Sequence, residues 1–112
     1  GGKFPVTLVF PKEYPSMPPK AYLPKGFLHP NVYPEGLVCL SILNGDPEMG
    51  GQWAPALTVG QILQGVQVLL DEPNLSSAAQ DEAYSLFNFN RDKYNQEVRK
   101  QALRYQDKEN DL

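Results

Sequence analysis

Ten of the chain's eleven prolines fall between Pro5 and Pro55, and only Pro73 follows them. Proline has no backbone N–H and collides with the preceding turn of a helix, so no long helix fits into the first half. Strands are confined there to the gaps between prolines, because a proline cannot donate to a ladder. The second half carries no such restriction and has room for several helices. Strands and turns first, helices last, is an α+β order.

Within the first half, Phe4, Val6, Leu8 and Phe10 alternate with Pro5, Thr7 and Val9, the period of a strand. Pro11 and the run Tyr14-Pro15-Ser16-Met17-Pro18-Pro19 end it. Ala21-Tyr22-Leu23 is a second extended piece, and Pro24 to Gly36 reads as a compact loop packed by its own aromatics. Val38 to Leu43 is apolar but short. Asn44 to Gln52, with three glycines and a proline, reads as a mobile surface loop.

Thr58 is a good N-cap for a helix reaching Leu70, with Ile62, Leu63, Val66, Leu69 and Leu70 on one face. Gly60 and Gly65 each weaken it by about 1 kcal/mol, so tertiary packing must hold it. Pro73 ends it. Ser76 or Ser77 is expected to cap a second helix running to Asn88 and burying Ala83, Leu86 and Phe87. Asn90 caps a third, with Tyr94, Val98, Ala102 and Tyr105 at helical spacing. Gln106–Leu112 is polar and expected to fray. One convincing strand with one short partner is too little sheet to stand alone. The chain also opens on Gly1-Gly2-Lys3-Phe4 and runs directly into that strand, so an N-terminal truncation is expected.

A length of 112 residues fits a single domain over 1–112. Hydrophobic residues make up 41% and charged residues 21%, which is ordinary for a folded soluble domain. The net charge of -3 leaves no electrostatic footprint for nucleic acid, and Arg91, Lys93, Arg99, Lys100 and Arg104 are interleaved with acids. No apolar run approaches a membrane span. The single cysteine rules out an internal disulfide and makes a reducing compartment the default.

That cysteine, Cys39, lies in His29-Pro30-Asn31-Val32-Tyr33-Pro34-Glu35-Gly36-Leu37-Val38-Cys39-Leu40. A thiol, an amide and a phenol therefore share one non-helical segment. Only the thiol is a strong nucleophile near neutral pH, and an amide is what an oxyanion would need. The bland alternative is a buried packing cysteine beside a turn asparagine.

Several local patterns occur in order: Tyr14-Pro15 with Pro18-Pro19, His29-Pro30-Asn31, Gly36 three residues before Cys39-Leu40, Trp53-x-Pro55-Ala56-Leu57-Thr58, and Glu72-Pro73-Asn74. Together they resemble the ubiquitin-conjugating (carrier) enzyme family over nearly the whole chain. HPNVYPEGLVCLSIL, the tract from Leu57 to Asn74, and Ala79-Gln80-x-Glu82-Ala83-Tyr84 resemble its SUMO-conjugating branch in particular. The resemblance implies an N-terminal helix, a four-stranded antiparallel meander and three further helices, of which this chain would begin at the second strand. It implies transfer of SUMO as a thioester from the SUMO-activating enzyme to Cys39 and then to lysines of protein substrates, aided by SUMO ligases. No metal, nucleotide or organic cofactor is implied, since ATP is used by the activating enzyme. The family works in nucleus and cytoplasm. A carrier of ubiquitin or another modifier is the nearest alternative, and a non-catalytic carrier-like interaction module the alternative of another class.

By the same resemblance Asn31 donates to the oxyanion and Tyr33 lies beside the acceptor lysine, lowering its pKa by desolvation. His29 and Pro30 are structural, His29 bonding local backbone beneath the loop. Pro15, Pro55 and Ala56 fall on ligase-binding surfaces, and Trp53 reads as a core anchor. Lys20, Glu35, Leu37, Ala78 and Ala79 fall on substrate-binding positions. The chain departs from the SUMO branch at five positions and in one loop. Ser77 and Ala78 replace an aspartate and proline, so the hydroxyl of Ser77 orients the lysine without a charge. Glu35 and Leu37 replace small hydroxyl residues, and Tyr22 replaces a lysine, which implies an altered preference around the acceptor. The Asn44–Gln52 loop is longer than its counterpart.

Overall fold

The computed structural model describes residues 2–106. Strand β1 (Thr7–Val9) pairs antiparallel with β2 (Lys20–Tyr22) in the register Thr7↔Tyr22, Leu8↔Ala21 and Val9↔Lys20. The inward–outward alternation read from the sequence runs from Phe4 to Val9, but the ladder is shorter than that. Pro5 has no N–H to give, and Phe10 leaves the plane to stand 47% exposed, edge-on to Tyr14 at 4.7 Å. A third rank follows without becoming a strand. Leu37 bridges Tyr22, Val38 bridges Val32, and the Leu23 and Val38 amides donate to Gly36 O and Ala21 O, each at 2.9 Å.

Helix α1 (Val59–Asp71) begins at the expected cap. Thr58 Oγ1 accepts from the Gln61 amide at 3.1 Å while the Gln61 side chain accepts from the Thr58 amide at 2.8 Å, a closed capping box. Its buried stripe is Ile62, Val66 and Leu69, whereas Leu63 is turned outward at 41% exposure. Gly65 has a packing reason: a Cβ there would stand 2.9 Å from Ile42 Cδ1 and 3.3 Å from Leu40 Cδ2. The helix thus lies close against the residues that follow the cysteine, and this contact offsets the glycine's intrinsic cost.

Helix α2 (Asp81–Phe89) starts later than Ser76 or Ser77 would set it. Residues Leu75–Ser77 form a 3-10 turn capped by Asn74, whose Oδ1 accepts from the Ser76 amide at 3.0 Å. Two long-range anchors keep the chain extended after that turn. The Ala79 amide donates to Pro30 O at 2.8 Å, and Gln80 Nε2 donates to Phe27 O and Val32 O at 2.9 and 3.0 Å. Of the expected α2 core only Ala83 is fully buried, with Leu86 and Phe87 half-buried. Helix α3 (Arg91–Arg104) is capped as expected by Asn90, and buries Tyr94 and Gln101. Beyond Gln106, the expected fraying falls outside the described residues.

The core joins both halves: Ala21, Leu23, Phe27, Val32 and Val38 pack with Val66 and Leu69 of α1, flanked by Phe4, Val6 and Leu8. The Pro24–Gly36 loop is therefore not packed by its own aromatics. Phe27 meets Phe4 at 5.0 Å and Tyr105 at 6.5 Å, while Tyr33 is exposed. Gln101 completes the attachment from α3. Its Oε1 accepts from the Leu28 amide at 2.7 Å and its Nε2 donates to Leu28 O at 3.1 Å, with the side chain 3% exposed. Gln101→Leu keeps the volume and strands both backbone groups. It should lower the unfolding free energy in urea by about 2–3 kcal/mol, and a loss under about 0.5 kcal/mol would contradict this clamp.

Candidate active site

Cys39 is half-buried, not sealed in the core, and lines a groove of about 700 Å³. Its backbone is fixed from the preceding turn, since the Cys39 amide donates to Asn31 O at 2.8 Å. The turn itself is closed by Tyr33 N to Leu37 O at 2.9 Å and Gly36 N to Tyr33 O at 2.8 Å. Only glycine fits at its end, because Gly36 has φ +104 and a Cβ would stand 2.1 Å from Leu23 O. The sequence between the HPN run and the cysteine thus folds back into a hairpin-like turn that presents the thiol.

Asn31 is fully buried, and its side chain is completely engaged. Nδ2 donates to Asn74 O at 2.6 Å and to Ser77 O at 2.8 Å, while Oδ1 accepts from the Asn74 amide at 2.7 Å. Both amide protons are therefore committed to the 74–77 turn. In this geometry Asn31 is a brace between two loops, and donation to an oxyanion would require releasing one of these bonds.

His29 lies under the brace at 2% exposure. Its Nε2 donates to Leu69 O at 2.8 Å, which leaves Nδ1 to accept from the Asn31 amide at 3.0 Å. The ring's partners are thus one local group, as expected, and one distant group on α1. Burial pushes its pKa down from 6.5 to about 4, against the opposing pull of the Leu69 carbonyl. A proton on Nδ1 would also face the Asn31 N–H, so the neutral tautomer is the one the site requires.

The groove gathers Lys20, Tyr33, Leu37, Cys39 and Ser77 of the residues singled out in the sequence, together with Asn74. It does not gather all of them. Glu35 is exposed at the tip of the turn, and Ala78 and Ala79 lie outside the groove lining. Asn31, His29 and Pro30 form the buried floor behind it. Pro15, Pro55 and Ala56 are exposed. Trp53 links them: its Nε1 donates to Pro15 O at 3.0 Å across the cis Tyr14–Pro15 turn, so this half-buried tryptophan anchors one loop to another. The bonding roles of Gln80, Asn74 and Gln101 were not legible in the sequence, because single amides acting over long separations leave no periodic signal. Among the described residues no three His, Cys, Asp or Glu side chains converge as a metal site would need.

The sequence pattern of the family described as ubiquitin-conjugating enzyme matches residues 1–102. The chain belongs to that family. SUMO-conjugating enzyme SCE1 of Arabidopsis thaliana is 51% identical over 105 residues, which cover 94% of this chain and 63% of the relative. Sumo-conjugating enzyme ubc9 of Dictyostelium discoideum is 46% identical over 105 residues, covering 94% of this chain and 64% of the relative. The chain thus spans less than two thirds of the length of either relative.

The His29 environment has a measurable consequence. The folded pKa of about 4 lies below the ordinary 6.5, so the unfolded chain takes up this proton first. Stability is intact above pH 6.5 and drains as pH falls towards 4, by of order 3 kcal/mol in all. Unfolding in urea at pH 7, 5.5 and 4.5 should show this fall, and a His29→Gln variant should show a flatter profile. Equal slopes in the two proteins would contradict it.

Proposed function

We propose that this chain carries SUMO as a thioester on Cys39 and delivers it to lysines of substrate proteins. The observation that carries the reading is the Cys39 thiol, reachable in a groove shared with Tyr33, Ser77 and Lys20, on the segment that resembles the SUMO branch. The names of the two relatives support SUMO as the cargo.

In the loading step, the Cys39 thiolate attacks the SUMO C-terminal carbonyl on the activating enzyme. A new carbon–sulfur bond forms as the old one breaks, and the activating enzyme's thiolate leaves. In the discharge step a neutral lysine amine attacks the same carbonyl. The tetrahedral oxyanion collapses, Cys39 leaves as thiolate, and the amine's proton passes to solvent, with the Ser77 hydroxyl accepting a hydrogen bond from the amine. A thiolate is a better leaving group than the amine, which sets the direction. Asn31 serves the oxyanion by exchanging one of its two turn bonds, and it holds the groove in shape at all other times. Tyr33, exposed at 39%, lies along the lysine's approach. SUMO ligases bind across Pro15, Pro55 and Ala56, which Trp53 holds in register.

The test is a charging assay with purified activating enzyme, ATP and either SUMO or ubiquitin. SUMO should give an adduct that reducing agent releases, and Cys39→Ser should give one that it does not. An adduct with ubiquitin alone, or none through residue 39, would overturn the reading. Ser77 supplies a hydroxyl but no charge, so Ser77→Asp should speed single-turnover discharge to lysine about fivefold, the worth of roughly 1 kcal/mol. An unchanged or slower rate would remove Ser77 from the mechanism.

A further inference from the structure

A second cavity lies away from the cysteine, bounded by α2, α3, the end of α1 and the segment around Leu28, and it shares no lining residue with the Cys39 groove. It holds about 360 Å³, the size of a small-ligand site. Its apolar wall is aromatic. Phe4 and Phe27 meet edge-to-face at 5.0 Å, and Phe87 and Tyr94 meet in the same way at 5.0 Å.

Most polar groups in the wall are already bonded. Gln101 commits its whole amide to Leu28, and the two His29 nitrogens are taken by Leu69 O and the Asn31 amide. Tyr94 differs. It is only 6% exposed, yet its hydroxyl has no hydrogen-bond partner among the described residues, where a buried phenol normally finds one. No side-chain oxygen of the described residues is sealed in without a partner, so this hydroxyl reaches open space, and the space that Tyr94 lines is the cavity. Arg91 stands beside it. The guanidinium lies 3.4 Å over the Phe87 ring with Nε donating to Phe87 O at 2.7 Å, and it pairs with no carboxylate among the described residues. Burial pushes the Tyr94 pKa up and the Arg91 charge pulls it back, so cation and hydroxyl are near neighbours. One acid, Asp71 at the end of α1, also lines the cavity.

We propose that this cavity binds a small aromatic monocarboxylate, with its ring among Phe4, Phe27 and Phe87 and its carboxylate on Arg91 and the Tyr94 hydroxyl. The proposal is independent of the carrier reading of Cys39. A guanidinium held flat on a ring offers a carboxylate two parallel N–H donors, and the phenol adds a third. An ammonium would meet Arg91 as a like charge, and a ring without an acceptor would leave the Tyr94 hydroxyl unpaired. Asp71 disfavours a second negative charge, which selects a monoanion over an aryl phosphate. His29 forms part of the wall, so an occupant reaches the ring that accepts the Asn31 amide.

Backbone NMR of the full chain titrated with phenylacetate tests this. Saturable shifts should appear at Leu28, Arg91, Tyr94, Asn95 and Val98, with Kd of about 1 mM or tighter, and not around Cys39. Phenylacetamide and phenyl phosphate should each bind at least about fivefold more weakly. Tyr94→Phe keeps the ring edge on Phe87, and with it the fold, and should weaken phenylacetate about five- to tenfold. Arg91→Gln should abolish the preference for phenylacetate over its amide. The proposal is overturned by the absence of saturable shifts up to about 10 mM, or by shifts centred on the Cys39 groove. Equal binding of the amide to wild type, or undiminished binding to Tyr94→Phe, would also overturn it. Tighter binding of phenyl phosphate than of phenylacetate would reassign the site to phosphate and overturn it too.

Discussion

The side chain of Asn31 joins the cysteine segment to the 74–77 turn, 43 to 46 residues away in sequence. Its carbonyl and both of its amide protons go to Asn74 and Ser77, while its own backbone carbonyl holds the Cys39 amide. Without that one amide, the 74–77 turn would be tied to the cysteine segment through its neighbours, by the bonds of Ala79 to Pro30 and of Gln80 to Val32. A fully buried, fully satisfied polar group of this kind fixes geometry more tightly than apolar packing would, because each bond has a direction. The groove beside Cys39 is the space left between the two stretches that Asn31 holds apart and together. His29 beneath it makes the arrangement dependent on one tautomer.

This bears on how the site would work. An amide whose protons are both committed can serve a transient negative charge only by exchange, so chemistry at the thiol and the shape of the groove are tied to the same group. The 74–77 turn, which carries Ser77, is therefore coupled to whatever Asn31 does. Met49 sits on another part of the lining, held by the Asn44–Gln52 backbone.

The helices were legible where local chemistry decides them. Thr58 and Asn90 cap their helices as their sequence neighbours indicate, and the Ile62, Val66 and Leu69 stripe follows from spacing alone. Phe4 to Val9 showed its alternation, but how many of those residues join a ladder depends on a partner strand that spacing cannot reveal. Ser76 and Ser77 look like caps and are not, because Asn31, Pro30 and the carbonyls bound by Gln80 hold that stretch out of helical geometry. Tertiary bonds outweigh local propensity there. At the site, Cys39, Tyr33, Leu37, Ser77 and Lys20 were all marked in the sequence and do share one groove. The commitment of Asn31 was not legible, since an asparagine after His-Pro reads equally as donor or brace until its partners are known.

Amide hydrogen exchange of wild type and Asn31→Ala, compared residue by residue, tests the brace most directly. The account predicts that Asn74 and Cys39 lose most of their protection in the variant, with exchange spreading through residues 74–77, while the interior of α3 exchanges as before. Protection at Asn74 and Cys39 that is unchanged, or lost only in step with α3, would contradict it.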